Sequence, residues 1–449
     1  MKAQTRQRAS IAAVMAAMAL VVLDAGLINV ALPVMAASLR VTPAQAILTV
    51  GAYQTALVIG LLPSAHVAEK FGYKKMFLAG VSLFSAASIL CGFAPTLGIL
   101  VAARMLQGLG GAAIMTLGIA LLRVALGSDQ IGRAIGWNAL NVALCSAAGP
   151  IVGALILSIA PWPWLFFAKL PLIAIALTTS VALPEVASSR SRIDHAGIAL
   201  HAAIAGLFLA AAGIAQGRWA ALAASVAVGL AVLLIRRERV RQAPIWPIDL
   251  LGQRPFRASV MASVCCFIAQ SAGMLALPLY LQLVLGYGPF GAGIVMMCWP
   301  LTVAMTSSVA NRVAEQFGSA RLCFAGGSLL GLGLLFSALW PVGQSIIPLA
   351  IGAALSGLGF GLFQVPNNRT MFLSAPPDRS AAAGGMQGTA RLIGQTIGAL
   401  AIGLLLTGAS AAAAPRLGLA LGAVFGAMAA LVSAMGIAVN HERQAQPGG

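Results

Sequence analysis

The sequence is short of charge. Of its 449 residues, 8% are Asp, Glu, Lys or Arg, against about 25% in soluble globular domains. So little charge does not keep a surface in water, which excludes an ordinary soluble fold and leaves lipid as the solvent for most of the chain. Acids are scarcer still, 10 Asp and Glu against 27 Lys and Arg. There are 4 His and 6 Cys, with no CxxC pair. No HExxH, no clustered ligand set and no ordered Ser/His/Asp set occurs, so neither a metal, a cofactor nor a catalytic centre is expected. The absence of a GxxxxGK[ST] loop argues against ATP coupling. Cys91, Cys145, Cys265, Cys266, Cys298 and Cys323 all fall in or beside apolar runs and read as small buried hydrophobes.

What is present is apolar length. The chain is 60% hydrophobic, with a mean hydropathy of +0.95. Fourteen apolar segments are each long enough to cross about 30 Å of hydrocarbon. They are 10–37, 46–66, 76–94, 97–122, 134–158, 163–183, 196–215, 219–235, 258–284, 290–311, 322–341, 345–368, 380–407 and 416–438. The basic start, Met1 to Arg8, has the look of a signal peptide. The run behind it is too long for one and is interrupted by Asp24, so a retained first helix is expected.

The basic residues set the topology. With the N-terminus inside and the segments alternating, only Arg40, Arg218 and Arg416 fall outside, and Arg104, Lys169 and Arg391 fall within segments. All other Lys and Arg are cytoplasmic, as the positive-inside rule requires of an even helix count with both termini inside. The net charge of +17 therefore reads as loops facing anionic lipid rather than as a nucleic-acid surface.

The chain repeats itself. Val67-Ala68-Glu69-Lys70-Phe71-Gly72 returns as Val313-Ala314-Glu315-Gln316-Phe317-Gly318. Leu106-Gln107-Gly108-Leu109-Gly110 returns as Leu355-Ser356-Gly357-Leu358-Gly359, and Gly149-Pro150-Ile151-Val152-Gly153-Ala154-Leu155 as Gly394-Gln395-Thr396-Ile397-Gly398-Ala399-Leu400. The order is kept and the spacing is nearly constant. Six helices repeat as six with unchanged parity, so the halves run parallel. The expected division is an N-terminal six-helix bundle over 1–190, two inserted helices and a basic cytoplasmic loop over 191–252, and a C-terminal six-helix bundle over 253–449. Parallel halves are a transporter architecture that holds its substrate between them.

Four motifs carry chemistry. The loop after the second segment, Glu69-Lys70-Phe71-Gly72-Tyr73-Lys74-Lys75, sets a carboxylate beside a tight glycine turn and basic residues, and its copy contributes Glu315 and Gly318. Such a cluster can latch neighbouring helices in one conformation; otherwise it is a solvated loop obeying the positive-inside rule. Segment four carries Arg104-Met105-Leu106-Gln107-Gly108, with Arg104 about 10 Å inside the outer end at 1.5 Å per residue. A charge at that depth usually has a partner, the alternative being that it snorkels to the interface. Segment five carries Gly149, Pro150 and Gly153, which let a helix bend and a neighbour approach. Segment one carries Leu23-Asp24-Ala25-Gly26-Leu27-Ile28-Asn29-Val30-Ala31-Leu32-Pro33.

Together these motifs resemble the major facilitator superfamily, and within it the fourteen-helix drug:proton antiporters, exporters of drugs and biocides such as the methyl viologen resistance type. The match to the first-helix signature, the Arg104 motif, the antiporter Gly-Pro motif and Trp162-Pro163-Trp164 spans essentially the whole chain. Lys169 stands where that family usually has Asn. The resemblance implies an all-α polytopic membrane protein, two parallel six-helix bundles plus two inserted helices. It also implies a bacterial inner-membrane location and export driven by the proton gradient.

Of the ten acids, only Asp24 lies within a membrane segment, near its middle. A carboxylate there is disfavoured unless paired, hydrated or protonated, which makes Asp24 the expected proton-coupling group; a helix-capping role or a pair with Arg104 is the alternative. Arg104, Asn29, Gln107 and Arg391 are the expected polar network of the cavity. With one carboxylate, proton and cation would compete for the same group. Neutral or monocationic lipophilic substrates are therefore expected, carried by alternating access, and dications poorly. Met274, Met296, Met297, Trp299 and Phe360 are either cavity lining or membrane core. The expected partners are the bilayer, protons and a small molecule, with no nucleic acid and a functional monomer. The competing readings are an importer or metabolite porter of the same fold and, last, a membrane enzyme or channel.

Overall fold

The computed structural model describes residues 3–126, 131–185, 196–197, 199–200, 202–204, 206–207, 218–239, 248–341, 345–375, 380–410 and 412–445. Among these the ordered elements are helical. The N-terminal helices are α1 (Ala3–Ser38), α2 (Pro43–Phe71), α3 (Tyr73–Gly92), α4 (Leu97–Leu126), α5 (Ile131–Ile159), α6 (Trp164–Phe167), α7 (Leu170–Ser180) and α8 (Arg218–Arg239). Then follow α9 (Arg254–Leu279), α10 (Pro289–Phe317), α11 (Ser319–Leu339), α12 (Ile347–Ser374), α13 (Ser380–Gly408) and α14 (Ala413–Ala445). Most predicted segments fall on one described helix each; 163–183 falls on the short helices α6 and α7, and 196–215 lies largely outside the described residues. By length and composition, 10 helices among the described residues are able to cross a membrane, and 144–159, 164–180 and 225–234 are shorter apolar helices.

The chain divides into two compact units, Met1–Leu234 and Ile235–Gly449, a boundary that falls inside the expected 191–252 insertion. Each unit shows the same local devices. The first is the turn after the second helix. α2 ends at Gly72, with φ 95° and ψ 137°, and α10 ends at Gly318, with φ 87° and ψ 138°. Side chains avoid positive φ, so glycine is what allows two long helices to join through one residue. The Gly72 N–H donates to Ala68 O at 2.8 Å and the Gly318 N–H to Ala314 O at 3.0 Å. The second device is close helix crossing. α4 meets α2 at Gly108, against the Tyr53 carbonyl, and α12 meets α10 at Gly357, against the Trp299 carbonyl. Small residues let helix backbones approach where lipid supplies no hydrophobic drive between helices.

Other starts and breaks are equally local. The sequence Thr42-Pro43-Ala44-Gln45 forms a capping box at α2. The Gln45 N–H donates to Thr42 Oγ1 at 3.2 Å and the Thr42 N–H to Gln45 Oε1 at 2.9 Å, satisfying two donors that the first turn leaves open. The predicted continuous segment 163–183 is broken between α6 and α7 at Ala168–Lys169. Pro171 has no N–H to give the preceding turn, so the helix restarts there. Met296, Trp299 and Phe360 are buried, and Phe360 packs edge-on to Phe267 at 5.4 Å, which makes them packing residues of the second unit.

Candidate functional site: a buried ionic cluster in the N-terminal unit

Asp24 is fully buried on α1, and two cations from other elements converge on it. Arg104, on α4 and 1% exposed, donates from Nη1 to Asp24 Oδ2 at 2.5 Å. Lys169, between α6 and α7 and 2% exposed, donates from Nζ to Asp24 Oδ1. The break in the sixth segment is what delivers this lysine: it sits at the restart, and its own carbonyl accepts from the Ile173 N–H at 3.0 Å.

A shell of neutral groups holds these charges. Gln107, one turn along α4 and fully buried, donates from Nε2 to Asp24 Oδ1 at 3.2 Å and to Ser88 Oγ at 2.7 Å. Its Oε1 accepts from Arg104 Nη1 at 2.5 Å. Arg104 and Gln107 stand three residues apart, which on a helix is one face. Arg104 Nε donates to the Thr49 carbonyl at 3.2 Å, and the guanidinium lies over the Tyr53 ring at 4.2 Å. Lys169 Nζ lies over the Phe166 ring at 4.8 Å and the Phe84 ring at 5.5 Å. Residues from α1 to α4, together with the α6–α7 break, thus meet at one carboxylate. Buried charges are tolerated in this way, paired and hydrogen-bonded on every side.

The antiporter-like motif braces the helix that carries the acid. A Cβ added at Gly26 would lie 2.9 Å from Gly149 Cα and 3.0 Å from Pro150 Cδ. One added at Gly153 would lie 3.1 Å from Leu27 Cα. Gly149, Pro150 and Gly153 therefore let α5 press directly on α1 beside Asp24. A cavity of about 310 Å³ opens next to this contact, between α1, α5 and the start of α7, with Lys169 in its wall.

Of the expected network, Arg104 and Gln107 join Asp24. Asn29 is half-buried on α1; five residues along a helix is about 140° of rotation, so it faces away from the Asp24 side. Arg391 is half-buried on α13, in the other unit. At the loop cluster, Lys74 Nζ donates to the Val181 carbonyl, just past the end of α7, at 2.8 Å. Lys70 is exposed and lies over Phe71, while Glu69 is half-buried. In the second unit Glu315 pairs with Arg369 at 3.6 Å, both well exposed.

Sequence reasoning left Lys169 without a role. The signal was there: a lysine inside an apolar segment, at the position where related antiporters carry Asn. Thr49, Tyr53 and Ser88 gave no such signal, because a neutral residue in a membrane helix is unremarked until its neighbour is known.

Long apolar helices in two repeated sets define a multi-pass membrane protein, and the family that its sequence matches is one of transporters. The family model described as Major Facilitator Superfamily matches residues 14–399. The chain belongs to that superfamily and resembles its drug:proton antiporters. It is 40% identical to the "Uncharacterized transporter YebQ" of Escherichia coli, over 86% of each chain. It is 30% identical to the "Multidrug resistance protein Stp" of Mycobacterium tuberculosis, over 86% of this chain and 73% of that one. It is 25% identical to the "Riboflavin transporter RibZ" of Clostridioides difficile, over 84% and 83%.

Proposed function

We propose that this protein is a proton-coupled exporter of small lipophilic compounds working by alternating access, with Asp24 as the coupling group. The observation that carries the proposal is the bridge itself: one buried carboxylate holds two cations from separate elements. Protonating Asp24 removes the charge that ties Arg104 and Lys169 to α1. Losing it converts a proton into a change in how α1, α4 and α7 hold together, and a transporter needs such a change to alternate. The relative named for multidrug resistance supports export; the relative named for riboflavin keeps metabolite transport as the second reading.

Charge narrows the substrates. Asp24 already faces two cations, so it offers no free charge to a cationic drug. The expected range of neutral or monocationic compounds loses its cationic members, and dications are excluded more firmly. In this reading the protein works as a monomer in a bacterial inner membrane with both termini cytoplasmic. Cysteine labelling from outside should reach position 218 and miss position 239.

Transport itself is tested in everted vesicles loaded with protein and energised to pump protons inward. Neutral lipophilic dyes should accumulate, and a protonophore should abolish the accumulation. Accumulation that survives the protonophore, or that requires ATP, overturns the proposal.

A further inference from the structure

We infer that the cavity beside Lys169 binds a lipophilic monoanion, an aromatic or alkyl carboxylate whose apolar body lies between α1 and α5 and whose head group is drawn to the lysine's side of the cavity by its charge. The inference builds on the transporter reading, since the ligand would be cargo. Three observations carry it.

The first is size and lining. The cavity, about 310 Å³, is walled by Leu23 and Leu27 of α1, Leu144 and Val152 of α5, and Leu172 of α7, with Lys169 as its one charged wall residue. A mostly apolar pocket with a single fixed charge is the usual form of a small-ligand site, and its volume is at the lower end of that range. It suits a compound of one or two rings.

The second is charge balance. Asp24 contributes one negative charge; Arg104 and Lys169 contribute two positive charges. With all three groups ionised the cluster carries one positive charge in excess, and Asp24 is the one acid that the sequence places within an apolar segment. The rings of Phe84 and Phe166 accept part of the lysine's field but bring no counter-ion. An unbalanced charge buried at membrane depth is costly, and an anion in the adjoining cavity would balance it. A cation there would double the excess.

The third is access. Leu144 is 61% exposed and Val152 37% exposed, so the α5 side of the cavity is open and apolar. A ligand with a lipophilic body enters such a mouth; a small hydrophilic anion does not.

The test is equilibrium binding to the purified full-length protein in detergent, with protein-free micelles as the blank and no proton gradient. Three probes share one ring system: 2-naphthoate, 2-naphthamide and 2-naphthylmethylammonium. Near pH 7 a carboxylic acid of ordinary pKa, about 4, is ionised. The wild type should bind naphthoate about tenfold more tightly than the neutral amide, a difference of about 1.4 kcal/mol, and the amine least. Lys169→Met should erase that preference while Asp24 keeps Arg104 as its partner, and Lys169→Arg should keep most of it. Ala148→Phe fills the cavity without touching the ionic cluster and should remove naphthoate binding. Equal binding of the three probes, no saturable naphthoate binding, an unchanged preference in Lys169→Met, or full binding in Ala148→Phe would each overturn the inference. Because no gradient is used, failure here leaves proton-driven export standing, and failure of export leaves this binding result readable.

Discussion

The two units are built on one scaffold and filled with different chemistry. Gly108 against Tyr53 in the first is Gly357 against Trp299 in the second, and Gly110 against α3 is Gly359 against α11. Where the first unit sets Arg104 and Gln107 on its fourth helix, the second sets Ala353 and Ser356 at the repeat-matched positions, both buried. Ser356 Oγ donates to its own helix at Gly352 O, 2.8 Å away, and Trp299 occupies the place of Tyr53. The polar contacts of the second unit lie elsewhere. Asn367 Nδ2 donates to Ser263 Oγ at 2.7 Å and to Ser259 O at 3.1 Å, and Gln395 Nε2 to Gln270 Oε1 at 3.3 Å. Close backbone approach was preserved in both copies, whereas among the described residues the buried ion pairs lie in one. Packing glycines are a requirement of the fold, and charge is a site grafted on it.

The largest effect should come from unbalancing the charged copy. Removing one partner of a buried ion pair costs about 3–5 kcal/mol. Asp24→Leu strands two cations and should lower thermal stability by that order, as should Ala353→Arg, which plants an unpaired charge at the matching site of the neutral copy. The triple variant Asp24→Asn/Arg104→Gln/Lys169→Met should recover stability toward wild type, since well-packed neutral groups often replace buried ions at little cost. Thermal melts of the purified variants decide this; a triple variant as unstable as Asp24→Leu would show that the cluster does more than balance itself.

Next in size is Arg104. Its guanidinium serves Asp24, Gln107 and Thr49 at once and stacks on Tyr53. Lysine offers the charge without the fork, so Arg104→Gln should reduce efflux by roughly tenfold or more and Arg104→Lys by less. Equal efflux from the two variants would mean that directed hydrogen bonds are not what Arg104 supplies.

Gly108→Ala and Gly357→Ala should each destabilise the protein by about 1–3 kcal/mol, the usual cost of overpacking, because the scaffold demand is the same in both units. A large loss at one and none at the other would break the equivalence of the two copies. The smallest effects belong to the loop cluster. Gly72→Val and Gly318→Val strain a positive φ, and Lys74→Ala removes the contact with Val181 O. Expression should persist while transport rates fall a few-fold, with the exposed Glu315–Arg369 pair contributing under about 1 kcal/mol. Normal transport by a Gly72 variant would reduce the loop to a topology signal.

Much of this was legible in the sequence. Apolar run length located most of the described helices, because the hydrocarbon thickness leaves little choice, but not how far they run past the hydrocarbon or the break in 163–183. The repeat was visible through its glycines, which tolerate no substitute where backbones touch. Asp24 and Arg104 stood out because charge is rare in such segments. What could not be read was which charges meet. A pairing between α1, α4 and the α6–α7 break depends on helix rotation and on the restart at Pro171, and neither follows from hydropathy. Asn29 shows the converse: its place in a shared motif suggested a shared site, but five residues along α1 carried it to another side of the helix.

The central claim is that Asp24 couples protons to transport, and separating coupling from folding tests it most directly. Wild type and Asp24→Asn should be reconstituted side by side, with substrate uptake measured once under an imposed pH gradient and once as energy-independent exchange of labelled for unlabelled substrate. The account predicts that Asp24→Asn loses gradient-driven accumulation and keeps exchange. If Asp24→Asn still concentrates substrate against its gradient, Asp24 is not the coupling group.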